Sequence, residues 1–221
     1  MTDTIIYVVF PYVATALAIL GGIHRYFKDR FSFSSLSSQL FEHRILFWGV
    51  VPWHYGIVPI LLSHLLAVIF PVWWGFILGG PNRLTVLELV GMALGMLTLV
   101  GIIILIVRRL VNSHAREVTS VMDWFLFLLL FLQVALGVHI ASNYRWGSLW
   151  YLHTAEPWFH SLVIFRPDSA PVLPLPLAVR LHLINAFVLI LLFPFTRLVH
   201  IFTLPVSYLT RPWQLVWWNR R

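Results

Sequence analysis

The chain has 221 residues, 60% of them hydrophobic and only 10% charged, with a mean hydropathy of +0.86, which excludes an ordinary water-soluble domain and leaves a polytopic membrane protein. Its formal net charge of +7 raises the question of nucleic acid, but the basic residues mark the ends of apolar stretches instead of forming one binding face. With no cysteine, the chain can build neither an iron–sulfur cluster nor a covalently attached c-type haem of its own.

Intervals free of Asp, Glu, Lys and Arg run over 4–24, 45–82, 89–107, 124–144 and 181–196. Four of them reach the roughly 20 residues that cross a bilayer, and the Leu-rich 172–179 stretch extends the fifth. The first follows Asp3 and lacks a basic leader, so it is read as a membrane helix and not as a signal peptide. It carries Ala14, Ala18 and Gly22 at four-residue spacing, a ladder suited to close helix packing.

The second interval holds His54, Pro59, Ser63 and His64, and its remainder, PVWWGFILGGPN, is expected to be an interfacial loop ending near Arg83. The third carries a second small-residue pair, Gly91 and Gly95, and the fourth carries His139 near one end. The connection over 145–176, which contains Pro167, Pro171, Pro174 and Pro176, is expected to cap one face as an irregular loop, at most with a short interfacial helix. The fifth helix runs from His182 past Pro194 to His200. Trp48, Trp53, Trp73, Trp74, Trp146, Trp150, Trp213, Trp217 and Trp218 crowd the presumed boundaries as an aromatic belt.

Basic residues fix the expected topology. Arg25, Lys28, Arg30, Arg44, Arg108, Arg109, Arg116, Arg197, Arg211, Arg220 and Arg221 fall on one side, and Arg83, Arg145, Arg166 and Arg180 on the other. The positive-inside rule then sets the N-terminus outside and the C-terminus in the cytoplasm. The fold class is an all-α integral membrane protein with five transmembrane helices in a single domain, 1–221.

Imidazoles set within hydrocarbon-length helices point to metal or haem ligands. At about 1.5 Å per residue, His54 and His64 lie roughly 15 Å apart along their helix, and His182 and His200 roughly 27 Å apart. Each pair therefore has one member toward each face of a bilayer about 30 Å thick. The second helix runs outward and the fifth inward, so His54 shares the cytoplasmic level with His200, and His64 the outer level with His182. Eighteen residues at about 100° each put His182 and His200 on one helix face, whereas His54 and His64 fall about 80° apart. Any one of these histidines could simply bond a neighbouring helix. Four at two levels, in cores without other ionisable groups, favour two bis-histidine b haems that transfer electrons and bind no substrate on iron. The remaining histidines, 24, 43, 114, 139, 153 and 160, are read as solvated or structural. Arg180 and Arg197 stand where they can pair with haem propionates or anchor to the membrane surface.

The runs RLHLINAFVLILLFPFTRLVHIFTLPVSYLTRPWQLV and HYGIVPILLSH, with the weaker PYVA and SSQL, closely resemble the gamma subunit of membrane-bound respiratory nitrate reductase. The resemblance spans nearly the whole chain and is strongest over 178–216. It implies a five-helix dihaem cytochrome b of the prokaryotic cytoplasmic membrane. Such a subunit oxidises quinol and passes electrons through an iron–sulfur beta subunit to a molybdenum-containing alpha subunit on the cytoplasmic side. The family's haem ligands fall on His54, His64, His182 and His200, and its quinol site on the surroundings of His64, with Ser63 and Arg83. The second nitrogen of His64 is expected to reach a quinol oxygen. The family pattern has glycine before the outer ligand and lysine at the later basic position; Ser63 and Arg83 replace them here, which leaves the quinone type open. Two rivals stand beside this reading. One is the same scaffold in a nitrite-oxidising, sulfur-metabolising or heterodisulfide-reductase complex. The other is a haem-free transporter subunit, disfavoured because Glu88 and Asp123 lie only at helix boundaries.

Overall fold

A computed structural model describes residues 1–28 and 44–203. The 205–221 tail and most of the 25–44 loop, with the SSQL and LPVSYLTR segments, His43 and the three terminal tryptophans, therefore lie outside the described residues. Five helices are long and apolar enough to cross a membrane, and no strand occurs among the described residues. In chain order the helices are α1 (Thr2–Lys28), α2 (Arg44–Ile69), α3 (Pro71–Leu78), α4 (Pro81–Val111), α5 (Ser113–Glu117), α6 (Val121–Asn143), α7 (Gly147–Trp150), α8 (Ala155–Val163) and α9 (Leu177–Leu192). The long ones α1, α2, α4, α6 and α9 alternate in direction. One face of the bundle, the N-terminal face, thus gathers the start of α1, the end of α2, the start of α4, the end of α6 and the start of α9.

Proline decides much of the local geometry. Pro11 has no N–H to offer the carbonyl of Tyr7, and its ring crowds that oxygen. The backbone responds with π turns over Ile5–Val9, and the Tyr7 carbonyl accepts instead from the Trp158 indole N–H at 2.9 Å. Both side chains are buried, and Tyr12 Oη adds a bond to the Leu162 carbonyl at 2.8 Å, so α8 is clamped onto α1. The 145–176 connection is therefore a packed cap carrying two short helices, with Trp158 edge-on to Tyr7 and Phe187.

The PVWWGFIL stretch expected as a loop is helix α3. Pro71 at its first turn is preset for a helix, and a run this apolar must satisfy its own backbone. Gly80 then caps α4, again with proline, Pro81, in the first turn.

The fifth segment also departs from expectation. Pro194 lacks an N–H, so α9 closes with the Phe193 N–H on Ile190 O, tightens into a 3₁₀ turn over Phe193–Phe195, and extends at Thr196 before a second 3₁₀ stretch, Arg197–Thr203. The same-face arithmetic for a continuous helix from His182 to His200 does not apply. Arg25 of α1 donates to the freed carbonyls of Pro194, at 2.6 Å, and Thr196, at 3.2 Å.

Close helix approach is carried mainly by glycines outside the two ladders. A Cβ on Gly101 of α4 would lie 2.5 Å from the Trp53 backbone nitrogen of α2. One on Gly56 of α2 would lie 2.7 Å from the Leu94 carbonyl and against Thr98 Oγ1. Gly91 and Gly22 face open space, whereas Gly21 admits Pro194, whose ring would sit 2.9 Å from an added Cβ. Ala14 is fully buried and Gly95 meets Val138, so each ladder contributes in part.

Candidate functional site

The four histidines of α2 and of the α9 segment meet as two pairs. His54 faces His200 with ring centroids 6.2 Å apart, and His64 faces His182 at 6.5 Å. A metal shared end-on by two imidazoles, with metal–nitrogen bonds of roughly 2 Å, puts the centroids about 6 Å apart. Among the described residues no group of three or more His, Cys, Asp or Glu is positioned to hold a bare ion. Two imidazoles at each level suit a metal whose remaining ligands come from a planar macrocycle.

Three of the four rings are oriented by their own chain. The Nδ1 atoms of His54 and His64 lie 2.8 Å from the Val50 and Ile60 carbonyls, one turn back, and His200 Nδ1 lies 2.6 Å from the Arg197 carbonyl. Each contact holds Nδ1–H as donor and leaves Nε2 for a metal. For His64 this corrects the sequence expectation, because the nitrogen meant for quinol is engaged by its own helix.

His200 lies on the 3₁₀ stretch, which an ion pair pins in place. Arg197 Nε lies 2.9 Å from Asp123 Oδ1, and Asp123 is itself part of the capping box that starts α6, exchanging bonds with Ser120. Arg197, expected as a propionate partner, thus has a carboxylate of this chain beside it. Arg180, two residues before His182, has a buried Nε with no hydrogen bond, which fits an acidic group arriving at that level.

His182 differs from the other three. Its Nδ1 is buried without a partner, and its Nε2 lies 3.2 Å from Gln133 Nε2 of α6. Gln133 Oε1 accepts from Asn185 Nδ2 at 2.7 Å, and Asn185 also donates to the Leu129 carbonyl at 3.0 Å. Gly137, one turn beyond Gln133, gives the ring its berth: a Cβ there would stand 3.3 Å from His182 Cε1. Sequence reasoning passed over these amides because it weighed only ionisable groups, although an amide within a membrane span is a signal of the same kind. His139, set aside at the sequence level, is occupied by Asn143 and Tyr144.

At the N-terminal face, Ser63 Oγ bonds the Pro59 carbonyl at 2.9 Å, and the exposed Arg83 folds over the Phe76 ring, 5.5 Å from its centroid. Past His64, the residues Leu66, Phe70, Trp73, Trp74 and Ile77 line an apolar groove between α2 and α3. Behind it a small core of Ala67, Trp74, Leu78 and Leu84 packs against Tyr151. The Tyr151 hydroxyl is buried with no hydrogen bond, and burial, aided by the Glu156 charge, pushes its pKa up to about 12. Nothing in the sequence distinguishes this tyrosine from others at the membrane boundary.

The family model for the nitrate reductase gamma subunit matches residues 3–219. A nitrate reductase gamma chain from Bacillus subtilis is 33% identical over 214 residues, covering 96% of each chain. The respiratory nitrate reductase 2 gamma chain of Escherichia coli is 33% identical over 221 residues, 95% of this chain and 94% of its own. A dihydromethanophenazine:CoB–CoM heterodisulfide reductase polypeptide from Methanosarcina thermophila is 30% identical over 115 residues, only 52% of this chain and 38% of its own. With five membrane-capable helices and a family match from end to end, this multi-pass membrane protein belongs to the nitrate reductase gamma subunit family.

Proposed function

We propose that this chain oxidises quinol at the outer, N-terminal face and delivers the electrons across the membrane to an iron–sulfur beta subunit and a molybdenum-containing alpha subunit on the cytoplasmic side. The carrying observation is the two facing histidine pairs. His64 with His182 would hold an outer b haem, and His54 with His200 an inner one. When bound, such haems would supply one-electron transfer, and with two imidazoles given to each one, quinol and nitrate would react elsewhere. The protein's own part is to fix the two levels, orient each ring through a backbone carbonyl or an amide, and offer Arg180 to a propionate.

The quinol subsite in this reading is the groove past His64. Its apolar walls suit a prenylated ring, Ser63 Oγ keeps a lone pair to accept from a quinol hydroxyl, and the exposed Arg83 supplies a donor. Movement of each electron inward works against the membrane potential, at about 2.3 kcal/mol per 100 mV. Coverage of whole gamma chains favours nitrate reduction as the terminal process over the heterodisulfide alternative, whose match covers half the chain.

Haem extraction and low-temperature difference spectra of the purified chain should give two low-spin, non-covalent b haems. His64→Ala or His182→Ala should remove mainly one centre, and His54→Ala or His200→Ala mainly the other. Loss of the same centre in all four variants, or a wild-type chain without haem, would overturn the assignment.

A further inference from the structure

We propose that Asp123 is a positioning residue for His200: acting through Arg197, it fixes the imidazole that faces the inner centre. This rests on the reading of His200 as an iron ligand.

The carbonyls that orient His54 and His64 belong to α2, whose own turns keep them in place. The carbonyl that orients His200 belongs to Arg197, the first residue of a 3₁₀ stretch that Pro194 and the extended Thr196 sever from α9. A short 3₁₀ run has poorer hydrogen-bond geometry than an α-helix, so it depends more on what holds it from outside. Here the hold is on Arg197 itself. Its Nε lies 2.9 Å from Asp123 Oδ1, and its guanidinium donates to the Val118 carbonyl at 3.4 Å. The residue that supplies the orienting carbonyl is thus tied by its side chain to the start of α6. Asp123 is buried, 6% exposed, so its pair with Arg197 is less screened than one at the surface.

The carboxylate divides its work between its two oxygens. Oδ2 accepts the Ser120 N–H at 2.9 Å and completes the capping box, while Oδ1 is given to Arg197. A helix cap needs only the first. The second continues a line from α6 through the guanidinium and the Arg197 backbone to His200 Nδ1, 2.6 Å from the Arg197 carbonyl. Release of Arg197 loosens that carbonyl and lets the His200 ring turn, while His64 and His182 lie on α2 and α9, outside this line. The ferric low-spin signal of a centre with two imidazoles depends on how the ring planes are set against each other, here 72° for His54 and His200. A change of electric field alone leaves that setting in place.

The test follows both centres in the haem-loaded complex by electron paramagnetic resonance and by haem transfer to apomyoglobin. It compares wild type, Asp123→Asn, Arg197→Leu, the double variant and Ser120→Ala. Asp123→Asn keeps one acceptor for the Ser120 N–H, and Arg197→Leu leaves the cap whole. Each should shift or broaden the inner signal and speed loss of the inner haem about tenfold, with the outer centre unchanged. Because the two residues act as one unit, the double variant should go no further than the larger single change. Ser120→Ala removes one bond of the cap but not the ion pair, so its inner signal should stay at the wild-type position. An unmoved inner signal with wild-type haem loss in Arg197→Leu, equal changes at both centres, or the same inner change from Ser120→Ala overturns the proposal. If Asp123→Asn fails to assemble, Arg197→Leu decides on the same criteria. Retention of both haems by His200→Ala would instead remove the ligand assignment beneath it.

Discussion

Tyr151 shows how a single side chain bears on the stability of this protein. Its hydroxyl is buried without a partner, and such a group costs a protein about 1–3 kcal/mol relative to a satisfied one. Tyr151→Phe should therefore leave stability unchanged or raise it by up to about 1 kcal/mol, which thermal unfolding in detergent measures. The pH dependence has a definite sign. Unfolded tyrosine ionises near 10 and Tyr151 only near 12, so unfolding releases a proton in that window and the stability contributed by the neutral phenol is lost as pH rises through it. The phenylalanine variant should lose less stability than wild type between about pH 10 and 12. Much of the site at this scale was legible in the sequence, because an imidazole within a hydrocarbon span is costly enough to demand a reason. Ring pairing at His54/His200 and His64/His182 followed from alternating helix direction. Gln133, Asn185 and Tyr151 were not legible: uncharged amides and a boundary phenol gain meaning only from what the neighbouring helix sets beside them.

Helices α2 and α4 approach most closely where glycine removes a side chain from the contact. Gly101→Leu drives a side chain into the Trp53 backbone, which cannot swing aside, and overpacking of this kind costs roughly 1–3 kcal/mol. Gly91 faces open space, so Gly91→Ala should be tolerated and should gain up to about 1 kcal/mol of helix propensity. Unfolding midpoints in detergent, with haem retention on heating, should separate the two variants by several degrees in opposite directions from wild type. Four-residue spacing alone picked Gly91 and Gly22, where an added Cβ would meet nothing among the described residues, because periodicity identifies a stripe without saying which neighbour it faces. The break of the fifth segment at Pro194 and the helical form of Pro71–Leu78 escaped for a related reason. Proline permits either a kink or an end, and the choice fell to the Arg25 contacts and to backbone demands that no local window contains.

At the scale of the whole molecule, hydropathy was enough to give five spans, since length and charge-free composition are set by the bilayer itself. By the positive-inside reading of the sequence the basic loops and the 205–221 tail share the side of His54 and His200, and we propose that side as the docking surface for the partner subunits. Deleting residues 210–221, which carry Trp213, Trp217 and Trp218, should release the iron–sulfur partner during purification with haem content retained, because both histidine pairs precede the deletion. Unchanged co-purification would return those tryptophans to the role of lipid anchors.

The bond from Trp158 to the Tyr7 carbonyl also bears on how the protein is made. A ribosome releases α1 long before the indole that satisfies it, 151 residues later, and Arg25 waits still longer for the Pro194 carbonyl, 169 residues on. A bare carbonyl is poorly tolerated in hydrocarbon, so the entrance of α1 must stay within reach of water or of the insertion machinery throughout that interval. Biogenesis of the first helix is therefore completed by the last. A nascent chain arrested before residue 158 should present α1 as a loosely held, protease-sensitive segment, and one released beyond Pro194 should not.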